Sequence, residues 1–228
     1  MPSADTVQED GLLQTGVPRL FASAPQPLPF DPALEIRSFL LRREAGNLLV
    51  YGSGPLERDA QQIAELGGIA RQYLNHRHEA SFADDWPARA FGARLHVHER
   101  EARRVSESRE VDETFSERHV VDGDFEVIPI PGHTSGATAF LWDTRRHRLL
   151  FTGDTIFVRD GEWVAAVLER SDRAKYISSL ELIRDLDFDW LVPWAASVDE
   201  APLTATDRAD TRRRLDAILE RLRRGESS

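Results

Sequence analysis

With 228 residues, 41% of them hydrophobic and 30% charged, the chain has the size and composition of one large globular domain. A formal net charge of -10 excludes the basic surface that a nucleic-acid or anionic-membrane partner requires, so a small-molecule substrate is the expected partner. The absence of cysteine excludes disulfides, thiolate metal sites and cysteine nucleophiles, so any transition metal must use histidine and carboxylate.

In chain order, Met1 to Gly16 is polar and acidic, and no apolar run approaches membrane-spanning length, so a cytoplasmic location is the expectation. Residues 1–32 form a proline-rich extension, with Pro25, Pro27, Pro29 and Pro32 closely spaced. It should be disordered at its start, then extended and packed on the body without regular structure. Residues 33–228 should form a single domain. Ile36 to Leu41 and Asn47 to Tyr51 flank a charged turn and read as a β-hairpin, ended by Ser53-Gly54-Pro55.

Leu56 to Gly67 carries apolar residues at helical spacing and closes on Gly67-Gly68. Ile69 to Leu74 is a short strand delivering Asn75-His76-Arg77-His78-Glu79-Ala80-Ser81. Phe82 to Phe91 reads as a helix interrupted near Pro87, Arg94 to His98 as a strand, and Glu99 to Glu117 as a short helix followed by an exposed loop. Gly161-Glu162-Trp163 is a turn. Asp172 can cap a helix over Arg173 to Leu186, Asp189 to Pro193 is a final strand, and Leu203 to Arg224 a final amphipathic helix. Alternating strand-rich and helix-rich stretches imply two mixed sheets packed together with helices outside them.

Two loops carry the chemistry. Val127 to Ile130 is a buried strand stopping at Pro131-Gly132, which places His133 on a strand-end loop. Leu149 to Thr152 repeats the design and presents Asp154 after Gly153. His76 and His78, two apart, would share one side of an extended segment. Three imidazoles around a divalent ion leave a position for water, and Asp154 would be a fourth ligand or the acceptor of that water's proton.

The order H-x-H, P-G-H-T-S-G over Pro131 to Gly136 and F-T-G-D-T over Phe151 to Thr155 resembles the metallo-β-lactamase-fold hydrolases, in particular their glyoxalase II-like branch. The resemblance runs from about Ile36 to about Ser197. It implies a four-layer αββα sandwich of two mixed β-sheets and a metal site at His76, His78, His133 and Asp154. Against the family pattern H-x-H-x-D-H, Ala80 and Ser81 replace an aspartate and a histidine. Pro193-Trp194-Ala195-Ala196 lacks the last histidine, and Tyr51 or Gly52 stands where an aspartate usually ends the first strand. Ala80, Ser81 and Ala195 match positions of the second metal, so the resemblance implies one retained subsite holding one divalent ion, zinc first and iron second.

Three functions follow as expectations. The first is a metal-dependent hydrolase of an ester, thioester or amide, with Asp154 as its catalytic group. The second is a non-haem iron oxidoreductase like the persulfide dioxygenases of this fold, and the third a degenerate binding or regulatory protein. The oligomeric state stays open, a homo-oligomer included. Glu79, between ligand positions, should point to solvent. Ser81 has only its position in favour of a nucleophilic role, and Trp194 either walls the emptied subsite or belongs to the core. His96 and His98 copy the H-x-H spacing within a strand and suit surface or supporting roles, His119 and His147 suit exposed ones, and the arginines of Arg212 to Arg224 a solvated helix face.

Overall fold

The computed structural model describes residues 11–54 and 56–226; the expectations for the start of the chain and for Pro55 lie outside them. The first half contains strands β1 (Leu13–Gln14), β2 (Leu20–Ala22), β3 (Gln26–Leu28), β4 (Asp31–Ile36), β5 (Phe39–Leu41), β6 (Leu48–Val50), β7 (Arg71–Tyr73), β8 (Arg94–His98) and β9 (Glu113–Phe115), with helices α1 (Ala60–Glu65), α2 (Trp86–Phe91) and α3 (Glu99–Val105). The second half adds β10 (His119–Val121), β11 (Phe125–Pro129), β12 (Thr138–Asp143), β13 (Arg148–Gly153), β14 (Phe157–Arg159), β15 (Glu162–Val164), α4 (Arg173–Asp185), β16 (Trp190–Pro193), β17 (Ala195–Ser197), β18 (Thr204–Ala205) and α5 (Arg208–Arg223).

Seven strands pair in the order β1-β2-β5-β6-β7-β8-β9, six as β10-β11-β12-β13-β16-β18, and five as β15-β14-β17-β4-β3. The six- and five-stranded ladders are joined end to end, because β16 runs into β17 through Trp194 alone. Strand alternation explains the layering. Phe39, Leu41, Leu48 and Val50 face an inter-sheet core with Phe140, Trp142, Leu149 and Phe151. Leu40 and Leu49, one residue out of phase, face α1 and α2 with Ile63 and Trp86. On the far side Ala139, Leu141 and Leu150 meet α4 and α5 through Leu180, Ile183, Leu215 and Ile218. Both faces of the central strands are therefore covered, which is why they read as continuous apolar runs. The result is the expected αββα sandwich.

Several boundaries differ from expectation. Residues 13–32 are not irregular, because they supply β1 to β3 and the start of β4, with Pro27 tolerated beside a register shift on the edge strand β3. Ile36 ends β4 in one sheet and Phe39 begins β5 in another, so Arg37-Ser38 is a crossing between layers and not mid-strand. Pro87 does not interrupt a helix. It sits in the first turn of α2, where its missing N–H costs nothing. The segment after α3 includes β9, Glu162 and Trp163 belong to β15 beyond the turn, and Leu203 precedes β18 while α5 starts only at Arg208. Asp172 caps α4 as expected, its carboxylate accepting from Lys175 N–H at 3.1 Å. No helix among the described residues is long and apolar enough to cross a membrane.

Candidate metal centre

Three strand ends meet at one edge of the sandwich. β11 and β13 are both antiparallel to β12 and so deliver Pro131-Gly132-His133 and Asp154 from the same side. β7, in the facing sheet, delivers Asn75 and His76, after which residues Arg77–Ser81 form a 3-10 turn. The glycines directly before His133 and Asp154 are both required by close approach. A Cβ on Gly132 would lie 2.4 Å from Tyr176 Cα, where the start of α4 crosses the loop. One on Gly153, at φ +55°, would lie 2.1 Å from Asn75 Oδ1.

The structure brings all four expected residues together. One ligand atom from each of His76, His78, His133 and Asp154 lies within 4.8 Å of the others. His76 Nε2 is 3.3 Å and His133 Nε2 3.7 Å from Asp154 Oδ2, and His133 Nε2 is 3.3 Å from His78 Nδ1. Ligand atoms about 2.1 Å from a tetrahedral ion stand about 3.4 Å apart, so these spacings fit a zinc-sized cation. Moreover, His76 Nε2 is buried and, despite its nearness to Asp154, makes no hydrogen bond. A buried imidazole nitrogen turned toward three other ligand atoms, with the Asp154 carboxylate 3.3 Å away as its nearest charged neighbour, suits a metal ligand.

His133 and Asp154 are held from behind. His133 Nδ1 donates to Ala166 O at 2.7 Å, which turns its Nε2 into the cluster. Ser171 Oγ donates to His133 O at 3.0 Å, and Tyr176 OH donates to Asp154 O at 3.2 Å and Thr155 O at 2.7 Å.

Glu79 overturns the expectation of a solvated side chain, because it is wholly buried. Its Oε1 stands 3.0 Å from His76 Nδ1 and accepts from Asn75 N–H at 2.9 Å and His76 N–H at 3.1 Å, while Oε2 accepts from Gly52 N–H at 3.0 Å. The physical reason is the 3-10 turn. Residues three apart eclipse in it, so Glu79 lies under His76 instead of alternating away from it. Glu101, another buried carboxylate, ties the two histidine loops together by accepting from Gly136 N–H at 2.6 Å and from Arg77 N–H at 3.3 Å. Sequence reasoning missed both, and only the i, i+3 relation of Glu79 to His76 could have signalled one of them.

The electrostatics favour neutral imidazoles at two corners. Burial, then the neighbouring His76, lowers His78 to about 3 and His133 to about 4. Burial opposes charge on His76 too, but the carboxylates of Asp154 and Glu79 outweigh it and hold the ring up to about 10 in the absence of a cation. Asp154 is penalised by burial yet held below the usual carboxylate value by His76 and the other two rings. The pocket therefore already holds one positive charge, shared between His76 and its acids. A cation entering there displaces a proton.

The remaining candidates fall elsewhere. Ala80 packs in an apolar cluster with Leu74, Leu95, Val97 and Val105, and Ala195 lies in the inter-sheet core. Ser81 is exposed on the rim of a cleft of about 630 Å³ that opens onto His78 and His133 and is also lined by Arg77, Arg104 and Arg170. Trp194 is both core and wall: its indole meets the His76 ring edge-on at 5.5 Å and donates to Gly52 O at 2.8 Å.

His96 stacks on Tyr73 at 4.6 Å, and His98, buried and not on the surface, caps α3 by accepting from Arg100 N–H at 3.1 Å. His119 is exposed, whereas His147 is half-buried against Asp189 at 2.7 Å. Arg212, Arg213, Arg214, Arg223 and Arg224 all pair with acidic side chains, so most of the charge in that run is neutralised locally.

Comparison with known proteins agrees with this geometry. Residues 59–195 match the Metallo-beta-lactamase superfamily. The chain belongs to that superfamily. A metallo-beta-lactamase from Pontibacter korlensis superposes with a TM-score of 0.70 at 15% identity, covering 92% of this chain and 98% of that one. The metallo-beta-lactamase FIM-1 from Pseudomonas aeruginosa in its mono-zinc form gives 0.71 at 13%, covering 94% and 97%. ETHE1 from Myxococcus xanthus gives 0.63 at 18%, covering 88% and 90%. No curated protein matches by sequence. At such identities these superfamily neighbours establish the fold alone.

Proposed function

We propose that the protein is a metal-dependent hydrolase holding one divalent ion, zinc in the first instance, on His76, His78, His133 and Asp154. The observation that carries this reading is the convergence of four ligand atoms, one from each residue, within 4.8 Å of one another in a largely buried pocket. When bound, the ion supplies Lewis acidity, which activates water at neutral pH and polarises a carbonyl. The chain's own residues do the rest. Glu79 keeps His76 with its proton on Nδ1 and its lone pair on Nε2 turned inward. Asp154, kept ionised by the surrounding rings, would either complete the shell or, standing off the ion, accept the proton of a water bound in the open position. The cleft over His78 and His133 admits the substrate from one side.

A single ion is supported by the fate of the other subsite. Its positions are an apolar-packed Ala80, a rim-exposed Ser81 and a core Ala195, none of which can ligate as they stand. The motif order resembles that of the glyoxalase II-like branch, so a thioester is the first substrate to offer. His76, His133 and Asp154, with both histidine nitrogens within 3.7 Å of one carboxylate oxygen, also form a two-histidine, one-carboxylate set suited to ferrous iron.

Elemental analysis of protein purified without chelator, paired with thioester, ester and amide hydrolysis assays, tests the proposal. About one zinc per chain with hydrolysis supports it. Iron with oxygen consumption replaces it by the oxidoreductase reading. No metal, and none bound at micromolar Zn²⁺, Mn²⁺ or Fe²⁺, leaves a binding or regulatory protein.

A further inference from the structure

Tyr51 is the first residue after β6 and has φ +74°, a region that bulky side chains rarely enter. Such a conformation persists only where its surroundings over-determine it, and here they do. Its N–H donates to Tyr73 O at 2.9 Å, and its carbonyl accepts from Gln72 Nε2 at 3.0 Å and Ser38 Oγ at 3.3 Å. Gln72 is itself gripped by the buried Arg109, which donates to Gln72 Oε1 at 2.7 Å.

The side chain is wholly buried, its ring set edge-on to Phe39 and Phe151 at 6.0 Å each. Its phenol donates to Val192 O at 2.6 Å and accepts from Gly153 N–H at 2.9 Å. Those two groups belong to β16 and β13, at the point where the pairing of these strands shifts register between Phe151 and Gly153. The phenol thus bridges the two strands where their ladder is interrupted, one residue before Asp154.

We propose that Tyr51 is the positioning residue of Asp154: bridging β13 to β16 through its phenol, it sets where that carboxylate stands relative to the three histidines. The inference rests on the metal-centre reading above. Tyr176 holds the carbonyl of Asp154 from the α4 side, and Tyr51 holds the preceding N–H from the inter-sheet side. Without the second grip the N–H of Gly153 loses its phenol partner at the register shift, one residue before Asp154.

Tyr51→Phe removes one oxygen and keeps the ring. The expected result is a rise of about tenfold or more in the dissociation constants for Zn²⁺ and Co²⁺, with one site per chain and an altered Co²⁺ visible spectrum. Ile218→Val, in α5, is the control for a general loss of stability and should leave metal affinity and spectrum alone. The chain has three tyrosines, so ¹⁹F NMR of wild-type protein labelled with 3-fluorotyrosine gives a readout that needs no folded variant. Zn²⁺ should shift the Tyr51 resonance and leave that of Tyr73 in place. Unchanged affinity and spectrum in Tyr51→Phe, or an unmoved Tyr51 resonance on Zn²⁺ binding to wild type, overturns the inference alone. Failure of wild-type protein to bind either ion overturns the metal centre and this inference with it.

Discussion

The chain contains the H-x-H spacing twice, on neighbouring parallel strands, and the two pairs have opposite fates. His96 lies inside β8, in register with Tyr73 and stacked on its ring, and His98 ends the strand with Nδ1 occupied by the first turn of α3. His76 lies beyond the end of β7, and its Nδ1 is occupied by Glu79, which leaves Nε2 turned toward the cluster. The spacing is the same. What differs is the 3-10 turn that lifts one pair off the sheet and the carboxylate that eclipses its first histidine. Ligand geometry here is a property of the loop and its acid, and only secondarily of the histidines.

The comparison breaks first at the histidines themselves. His76→Ala should take bound metal from about one per chain to none detectable at micromolar Zn²⁺, whereas His98→Ala should keep the metal and lose only a helix cap, about 1 kcal/mol. Metal analysis with thermal denaturation checks both. Loss of metal in both variants would show that the second pair also feeds the site.

Glu79→Ala sharpens the point that the acid matters as much as the ligand. It strips a buried carboxylate from three backbone N–H groups and one imidazole. A loss of about 3–5 kcal/mol is expected, with metal affinity falling together with stability. Glu79→Gln keeps the shape and part of the bonding. If it bound metal as tightly as wild type, the charge on Glu79 would have no role in fixing His76.

How far the sequence reveals this architecture depends on whether the relevant contacts are periodic or long-range. The αββα layers are legible because Phe39, Leu41, Leu48 and Val50 alternate against Leu40 and Leu49, and because α5 carries Leu215, Ile218, Leu219 and Leu222 on one face. Strands β1 to β3 are not, since strands of two or three residues, one of them carrying Pro27, have no period to read. Of the four candidate positions, His133 and Asp154 stand out through the glycines beside them, and His76 and His78 through their H-x-H spacing. Glu79 is misread when its segment is taken as extended, and Glu101 leaves no trace because its contacts to Arg77 and Gly136 are 24 and 35 residues away.

A third way to test the contrast is to supply the missing ligands. Ala80→Asp, Ser81→His and Ala195→His together supply the residue types that the family resemblance expects at a second subsite, yet Ala80 packs among Leu74, Leu95, Val97 and Val105. Placing a carboxylate there should destabilise the fold by about 1–3 kcal/mol and leave metal content at one per chain. Two metals per chain by elemental analysis would mean that this turn repacks readily and that the second subsite is lost only in its side chains.

The smallest effect belongs to the decoy pair. Burial lowers His96 to about 4 from its ordinary value of 6.5, so the folded protein resists a proton that the unfolded chain accepts. Its contribution to stability is therefore complete above pH 6.5 and is lost progressively as pH falls toward 4. His78, His98 and His133 act in the same direction when metal-free, and His76, held up by its acids, acts in the opposite one, so the wild-type slope contains all of them. His96→Phe keeps a ring stacked on Tyr73 and removes the titration. With chelator present, its melting temperature should fall less between pH 7 and pH 5 than that of wild type, because the part of the slope carried by His96 has gone. Equal slopes would place His96 in water and not against Tyr73, and the two H-x-H pairs would then differ by less than their environments imply.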